Sequence, residues 1–109
     1  MNKFDQIVAG ALDIAQSKAI EKKNTELAPA HLLYGLISNP SSFSAKTYKD
    51  ELSKVEALLG HIPTTTSDLN PENIRPSGAL SGWLTQASAN AAKSGRQEMG
   101  ERDLLKFLP

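Results

Sequence analysis

The sequence contains no cysteine and carries no excess of either charge, and both features exclude classes of protein. Without cysteine, neither a disulfide framework nor thiolate chemistry is available. Twelve basic and twelve acidic side chains give a formal net charge of zero at pH 7. Each part is balanced too, with seven charges of each sign in residues 1–60 and five of each in 61–109. No segment is therefore basic enough to bind nucleic acid through electrostatic attraction alone.

Long apolar runs are also missing from the sequence. Residues 1–5 lack the basic segment and long apolar core that mark a secretory signal peptide. The longest apolar cluster, residues 32–37, is far too short to span a bilayer. We therefore expect a cytoplasmic protein without a membrane partner, and a length of 109 residues suits one small domain.

What the sequence does contain is helical periodicity. Apolar residues recur at spacings of three and four over residues 3–23, which predicts an amphipathic helix. The same reasoning predicts five more helices. Two of them begin near Pro29 and Pro76, and the other three span about 43–49, 50–60 and 101–108. Residues 63–75 are rich in Pro, Thr, Ser, Asp and Asn, which predicts a linker. The expected fold class is all-α.

The predicted helices repeat along the chain. When the sequence is aligned with itself so that Val8 falls on Leu80, apolar positions of the first helix match those of the later long helix without a gap: Val8, Ala11, Leu12, Ala15 and Ala19 fall on Leu80, Trp83, Leu84, Ala87 and Ala91. In this repeat alignment the following loop and the next helix match as well, which coincident amphipathicity would not produce. We therefore predict two helical units that pack together on one core, with Leu12 and Leu84 both buried.

Residues that could catalyse a reaction or hold a cofactor are scarce. The sequence has no phosphate-binding G-x-x-x-x-G-K-[ST] motif and no serine in a G-x-S-x-G context. His31 has no histidine or carboxylate four residues later, so a hydrogen bond across a loop is favoured over a metal site. Trp83 lies on the repeated apolar stripe and is expected in the core. We therefore predict no catalytic residue, no metal site and no cofactor.

The two copies resemble the N-terminal domain of the Clp family of AAA+ unfoldases, including its ClpB members. That family has a long first helix, a short loop, and then a Pro- or Thr-containing tetrapeptide that leads into His-Leu-Leu. Residues 24–36 carry this pattern and include His31, and residues 95–108 carry the second copy. The residues 75–77, Arg-Pro-Ser, are similar to the start of the second long helix in ClpB members. The resemblance covers nearly the whole chain.

The resemblance implies an all-α fold of two tandem, pseudo-symmetric repeats around one core. Repeat one is expected over about 1–62, the linker over about 63–75 and repeat two over about 76–109. The family's second repeat normally continues through two more helices, so repeat two is expected to be truncated and the chain to be a fragment. The implied function is non-catalytic: binding of unfolded or aggregated protein clients, or of an adaptor protein, for an ATP-driven Clp unfoldase in protein quality control. The isolated domain is expected to be a monomer.

The family binds its partners at a groove between the repeats, and the resemblance places six polar residues of this chain there. Asp5, Arg96 and Arg102 correspond to polar positions beside the groove, and Gln86, Asn90 and Asp103 correspond to groove positions that are often apolar in the family. The groove is therefore expected to be more polar than in other members. Two arginines at its edge favour acidic partners, because guanidinium groups bind carboxylates in a bidentate manner.

Two other functions remain open from the sequence. One is a stand-alone helical interaction protein that shares the repeat without an unfoldase. The other is a helix-turn-helix domain that binds DNA, although the balanced charge and the lack of a helix lined with Arg or Lys count against it.

Overall fold

The structure is a computed structural model that describes residues 3–62, 64–66 and 74–107. Its helices are α1 (Gln6–Glu21), α2 (Pro29–Ser38), α3 (Phe43–Thr47), α4 (Leu52–Leu59), α5 (Gly78–Lys93) and α6 (Glu101–Lys106), with a 3-10 turn at Lys49–Glu51. The all-α prediction is confirmed. Positions 63 and 67–73 of the predicted linker, and position 108 of the last predicted helix, lie outside the described residues. No helix within the described ranges is long and apolar enough to cross a membrane.

Short strands, which the helical periodicity did not predict, connect the two repeats. They are β1 (Lys3–Phe4), β2 (Glu26–Leu27), β3 (Arg75–Pro76) and β4 (Glu98–Met99). β1 pairs in parallel with β4, and β2 pairs in parallel with β3. Each pairing therefore joins a strand of one repeat to a strand of the other. The repeat alignment places β1 on β3 and β2 on β4, so it converts one pairing into the other.

The two long helices begin in the same way. Asp5 and Ser77 are both extended, and each accepts a hydrogen bond from the backbone N–H group three residues later. The donor is Val8 at 2.9 Å in the first case and Leu80 at 3.1 Å in the second. Because Asp5 caps α1, the helix begins at Gln6 and not at residue 3 as the periodicity predicted.

Both long helices bury one row of side chains in a single core. The fully or nearly fully buried residues of these rows are Val8, Ala11, Ala15, Ala19, Leu80, Trp83, Ala87 and Ala91. Leu12 and Leu84, which we expected to be buried, are only partly buried and lie against the edge of this core. Each follows the buried row by one position, so its side chain points partly toward solvent.

The two repeats fill their centres differently. In repeat one, α1 and α2 approach so closely that a Cβ atom on Gly35 would lie 2.1 Å from the carbonyl oxygen of Ala11. The equivalent positions in repeat two hold Trp83 and Phe107. Trp83 is 3% exposed, which confirms its predicted place in the core, and its indole N–H donates to the carbonyl oxygen of Leu104 at 2.9 Å. Small residues thus allow α1 and α2 to approach closely, whereas large residues fill the space between α5 and α6.

Candidate partner-binding site

A buried carboxylate organises the loop between α5 and α6. Asp103 is fully buried and accepts hydrogen bonds from both terminal nitrogens of Arg96, Nη1 at 2.8 Å and Nη2 at 2.6 Å. It also accepts from Asn90 Nδ2 at 2.7 Å and from the backbone N–H of Gly100 at 2.9 Å. Burial raises the pKa of Asp103, but the hydrogen bonds from Arg96, Gly100 and Asn90 outweigh it, and the pKa lies below its usual value. The carboxylate is therefore ionised and fully bonded.

Arg96 uses only some of its hydrogen-bond donors in this contact. Its side chain is 31% exposed, and the hydrogen bonds to Asp103 raise its pKa above the usual value. A guanidinium group has five N–H donors, and Asp103 takes two of them. The other three N–H groups of Arg96 have no acceptor among the described residues. A fixed donor group is therefore left facing outward.

Arg96 lines an open cleft of about 630 Å³, which we call the entrance cleft. It lies where the start of repeat one meets the α5–α6 loop of repeat two. Its lining residues are Asp5, Ile7, Arg96, Gln97, Glu98, Gly100, Glu101 and Arg102. The structure thus brings together three of the six residues predicted to bind a partner, namely Asp5, Arg96 and Arg102.

One wall of the entrance cleft depends on a glycine. Asp5 uses Oδ1 to cap α1 by accepting from the backbone of Val8, and its Oδ2 lies against Gly100. A Cβ atom on Gly100 would stand 2.8 Å from that oxygen. Within the described ranges no group donates to Oδ2. The missing side chain at Gly100 therefore leaves room for a carboxylate oxygen that a ligand could reach.

The back of the entrance cleft is tied to repeat one through Glu101. This side chain is 7% exposed and accepts from the backbone N–H groups of Phe43 at 2.8 Å and Ser44 at 2.6 Å, and from the Ser44 hydroxyl. Sequence reasoning missed Glu101, because an acidic residue at the start of a helix is normally solvent-exposed. Its contact with α3 spans 57 residues and leaves no local pattern.

The remaining predicted residues occupy different places. Asp103 does not line the cleft but lies behind Arg96, and Asn90 lies behind Asp103, where its Oδ1 also accepts from Lys106 Nζ at 3.2 Å. Gln86 is exposed on α5, one turn before Asn90, and forms none of these contacts. Asp103 and Asn90 therefore position Arg96, and Gln86 stands apart. That the six residues bind a partner stays a prediction.

The expectation of acidic partners rested on two arginines at the edge of the groove, and it stays a prediction. Asp103 compensates the charge of one of them, Arg96. Asp5, Glu98 and Glu101 add carboxylates to the same lining. Arg102 is exposed and has no ion pair or hydrogen bond with any described residue.

A neutral version of the Arg96–Asp103 pair occupies the same place in repeat one. The repeat alignment relates Arg96 to Asn24 and Asp103 to His31. His31 is fully buried, its Nδ1 accepts from the backbone N–H of Ala28 at 2.8 Å, and its Nε2 lies 2.9 Å from Asn24 Oδ1. Because Nδ1 accepts, the ring is neutral with its proton on Nε2, and burial lowers the pKa of His31 to about 4. The predicted hydrogen-bonding role of His31 is confirmed.

A second depression lies between the repeats and is more apolar. This α5 groove has a volume of about 530 Å³ and lies between the strand that precedes α1 and the outer face of α5. Its lining residues are Phe4, Ser81, Leu84, Thr85, Ser88, Ala89 and Ala92. Phe4 is 38% exposed there, so an aromatic ring is available to a ligand.

The family model described as the Clp repeat (R) N-terminal domain matches residues 3–106. No protein with a curated description matches the chain. Solved structures do. The N-terminal domain of Hsp104 from Candida albicans has a TM-score of 0.73 and 19% identity, and the match covers 95% of this chain and 71% of that one.

Two further structures show the same likeness. The N-terminal domain of the ClpV1 ATPase from the E. coli EAEC Sci1 T6SS has a TM-score of 0.79 and 18% identity, over 94% of this chain and 65% of that one. The N-terminal domain of the chaperone ClpD from Arabidopsis thaliana has a TM-score of 0.68 and 15% identity, over 94% and 72%. The chain therefore shares their fold and spans about two thirds to three quarters of their lengths.

Proposed function

The chain belongs to the Clp repeat N-terminal domain family, and on that premise we propose that it binds unfolded protein clients, or an adaptor that delivers them, for an ATP-driven Clp unfoldase. In this proposal the domain holds a polypeptide and performs no bond chemistry itself. The proposal includes the cytoplasmic location expected from the sequence, which fractionation of cells that express the native gene would test.

The entrance cleft is the observation that carries the proposal. At about 630 Å³ it lies within the range of roughly 300–1,000 Å³ that ligand sites occupy. It offers hydrogen-bonding groups that the described residues leave unused: three N–H groups of Arg96, the Arg102 guanidinium and Asp5 Oδ2. Half-buried Ile7 adds apolar surface. A polypeptide has both the polar main chain and the apolar side chains that such a lining can bind.

The α5 groove gives the proposal an apolar component. Unfolded clients differ from folded proteins by exposing apolar side chains, and Phe4 and Leu84 form an accessible apolar surface between the repeats. A client segment that reached from the entrance cleft to this groove would contact both kinds of surface.

The test compares one reporter protein in its unfolded and native forms. The immobilised 109-residue chain should bind the unfolded form at least about tenfold more tightly than the native form. Arg102→Gln should weaken this binding. The matched control Arg75→Gln, which removes an exposed arginine outside the cleft, should not.

Equal binding of both forms of the reporter, or no binding of either, would contradict direct client binding and leave only the adaptor as partner. Salt-sensitive binding of duplex DNA in place of polypeptide would contradict the whole proposal and favour the helix-turn-helix alternative.

A further inference from the structure

Arg96 and Arg102 line the same cleft but are in different electrostatic states. Asp103 holds the Arg96 guanidinium at both terminal nitrogens, so that this pair carries no net charge. No described residue pairs with Arg102. The first arginine is thus a fixed donor group within a neutral pair, and the second is an uncompensated cation. The two should contribute differently to binding.

We propose that Arg96 recognises the main chain of a bound polypeptide, by donating its three unused N–H groups to backbone carbonyl oxygens of an extended segment, whatever charge the segment's side chains carry. This inference rests on the proposed function, since it assumes that the ligand is a polypeptide.

The charges around Arg96 favour a neutral acceptor over a carboxylate. A ligand carboxylate would have to share one guanidinium with Asp103, which is already ionised and fully buried. It would also meet Asp5 and Glu98 in the same lining, and like charges disfavour close approach. A peptide carbonyl accepts the same N–H groups without this repulsion.

The rigidity of Arg96 makes it an effective donor. A long side chain normally loses rotamer freedom when it binds a ligand, which weakens binding. Asp103 has already fixed the guanidinium, and Asn90 and Gly100 fix Asp103 in turn. Arg96 therefore gives up little freedom when a ligand arrives. Arg102 is exposed and unpaired, so it should contribute a salt-dependent, charge-selective part of the affinity.

The neutral pair in repeat one supplies the test variant. Replacing Arg96 alone would leave the buried Asp103 carboxylate unpaired and could unfold the domain. The double variant Arg96→Asn with Asp103→His instead builds the Asn24–His31 pair of repeat one at the equivalent backbone positions. It removes the guanidinium donors and keeps a hydrogen-bonded pair. Circular dichroism and the melting curve check that it folds, and Arg96→Lys serves as a second variant that keeps a cation opposite Asp103.

The probes are three short unstructured peptides that share their apolar residues and differ only in carrying acidic, neutral or basic side chains. We expect the double variant to bind all three at least about tenfold more weakly than the parent, since losing even one hydrogen bond to a charged group has about this effect. Arg102→Gln should instead weaken the acidic peptide most and reduce the salt dependence. If the double variant lost affinity only for the acidic peptide, the inference would be overturned, because Arg96 would then recognise the charge of the ligand's side chains and not its main chain.

A fourth probe tests the main chain directly. In this peptide, alternate backbone amides of the neutral sequence are replaced by esters, whose carbonyl oxygens are weaker acceptors. The parent domain should bind it more weakly than the amide peptide. The double variant should lose much less affinity, because it has no guanidinium contact to lose and only the N–H groups that the esters also lack can matter to it. If both proteins lose the same affinity, Arg96 does not contact the main chain and the inference fails while the proposed function stands. If the parent binds neither peptides nor the unfolded reporter, direct client binding fails as well.

Discussion

The two repeats have the same backbone path, but different side chains form the equivalent hydrogen bonds in each. Where repeat one has a neutral pair, Asn24 with His31, repeat two has an ion pair, Arg96 with Asp103. In both, the second residue of the pair also accepts the backbone N–H group three residues before it. The shared feature is therefore the hydrogen-bond requirement of the loop, and several side chains can satisfy it. The ion pair is the one that faces the entrance cleft, so the difference between repeats lies where function is proposed.

The largest expected effect concerns the contrast in helix packing. Gly35→Ala should destabilise the domain by about 3 kcal/mol, because the new methyl group would overlap the carbonyl of Ala11 and force α1 and α2 apart. Thermal unfolding followed by circular dichroism measures the change. Gly78→Ala is the control, since its Cβ would meet nothing within 4 Å. An unchanged melting temperature for Gly35→Ala would mean that repeat one does not depend on this close approach.

The Asn24–His31 pair and the Arg96–Asp103 pair should lose their contributions to stability at different pH values. The unfolded pKa of a histidine is near 6.5 and that of His31 in the fold is about 4, so between these values the unfolded chain binds more protons. Stability should therefore fall as pH decreases through this window, by about 1–2 kcal/mol from pH 7 to pH 5. The pKa of Asp103 is below its usual value, so its contribution is lost only below about pH 4.

Urea unfolding at pH 7 and pH 5 measures this difference. His61→Gln, which removes the other histidine at an exposed position, is the control, and Asn24→Ala with His31→Leu should reduce the pH dependence. A pH dependence that survives in the second variant would assign the acid sensitivity to groups other than His31.

The comparison also shows how much the sequence could predict. The long helices and the repeat were predictable because apolar periodicity extends along the whole of each helix and recurs in the repeat alignment. The strands were not, since two residues carry no period. The repeat alignment matches Asn24 with Arg96 and His31 with Asp103, so it relates the two pairs to each other, but the contact within each pair is seen only in the structure. The contact of Glu101 with α3 could not, because it depends on how distant segments pack.

The six candidate site residues also differ in how far the sequence could predict their positions. Asp5, Arg96 and Arg102, which the family resemblance placed beside a groove, do line one cleft, and their binding role stays a prediction. The burial of Asp103 could not be predicted, since an aspartate next to an exposed arginine at the start of a helix is typical of a solvated surface. Asn90, Arg96 and Gly100 surround its carboxylate, and these contacts form only in the folded chain.

The smallest expected effect concerns how the two long helices end. The turn after α1 places Lys23 at a φ of 56°, and the equivalent turn after α5 places Gly95 at 78°. Both positions lie in the left-handed region, where a side chain costs roughly 1 kcal/mol and glycine costs nothing. A Cβ atom on Gly95 would meet nothing within 4 Å, and the same holds for exposed Gly82 inside α5. The two glycines therefore differ in backbone conformation and not in available space.

Gly95→Ala should destabilise the domain by about 1 kcal/mol, and Gly82→Ala should stabilise it by about 0.5–1 kcal/mol, because alanine is favoured inside a helix and disfavoured at positive φ. Urea unfolding of both variants measures the two shifts, which should have opposite signs. Shifts of the same sign would show that α5 does not end in a left-handed turn as α1 does. The backbones of the two repeats would then differ from Gly95 onward, and the Arg96–Asp103 loop would not be equivalent to the Asn24–His31 loop.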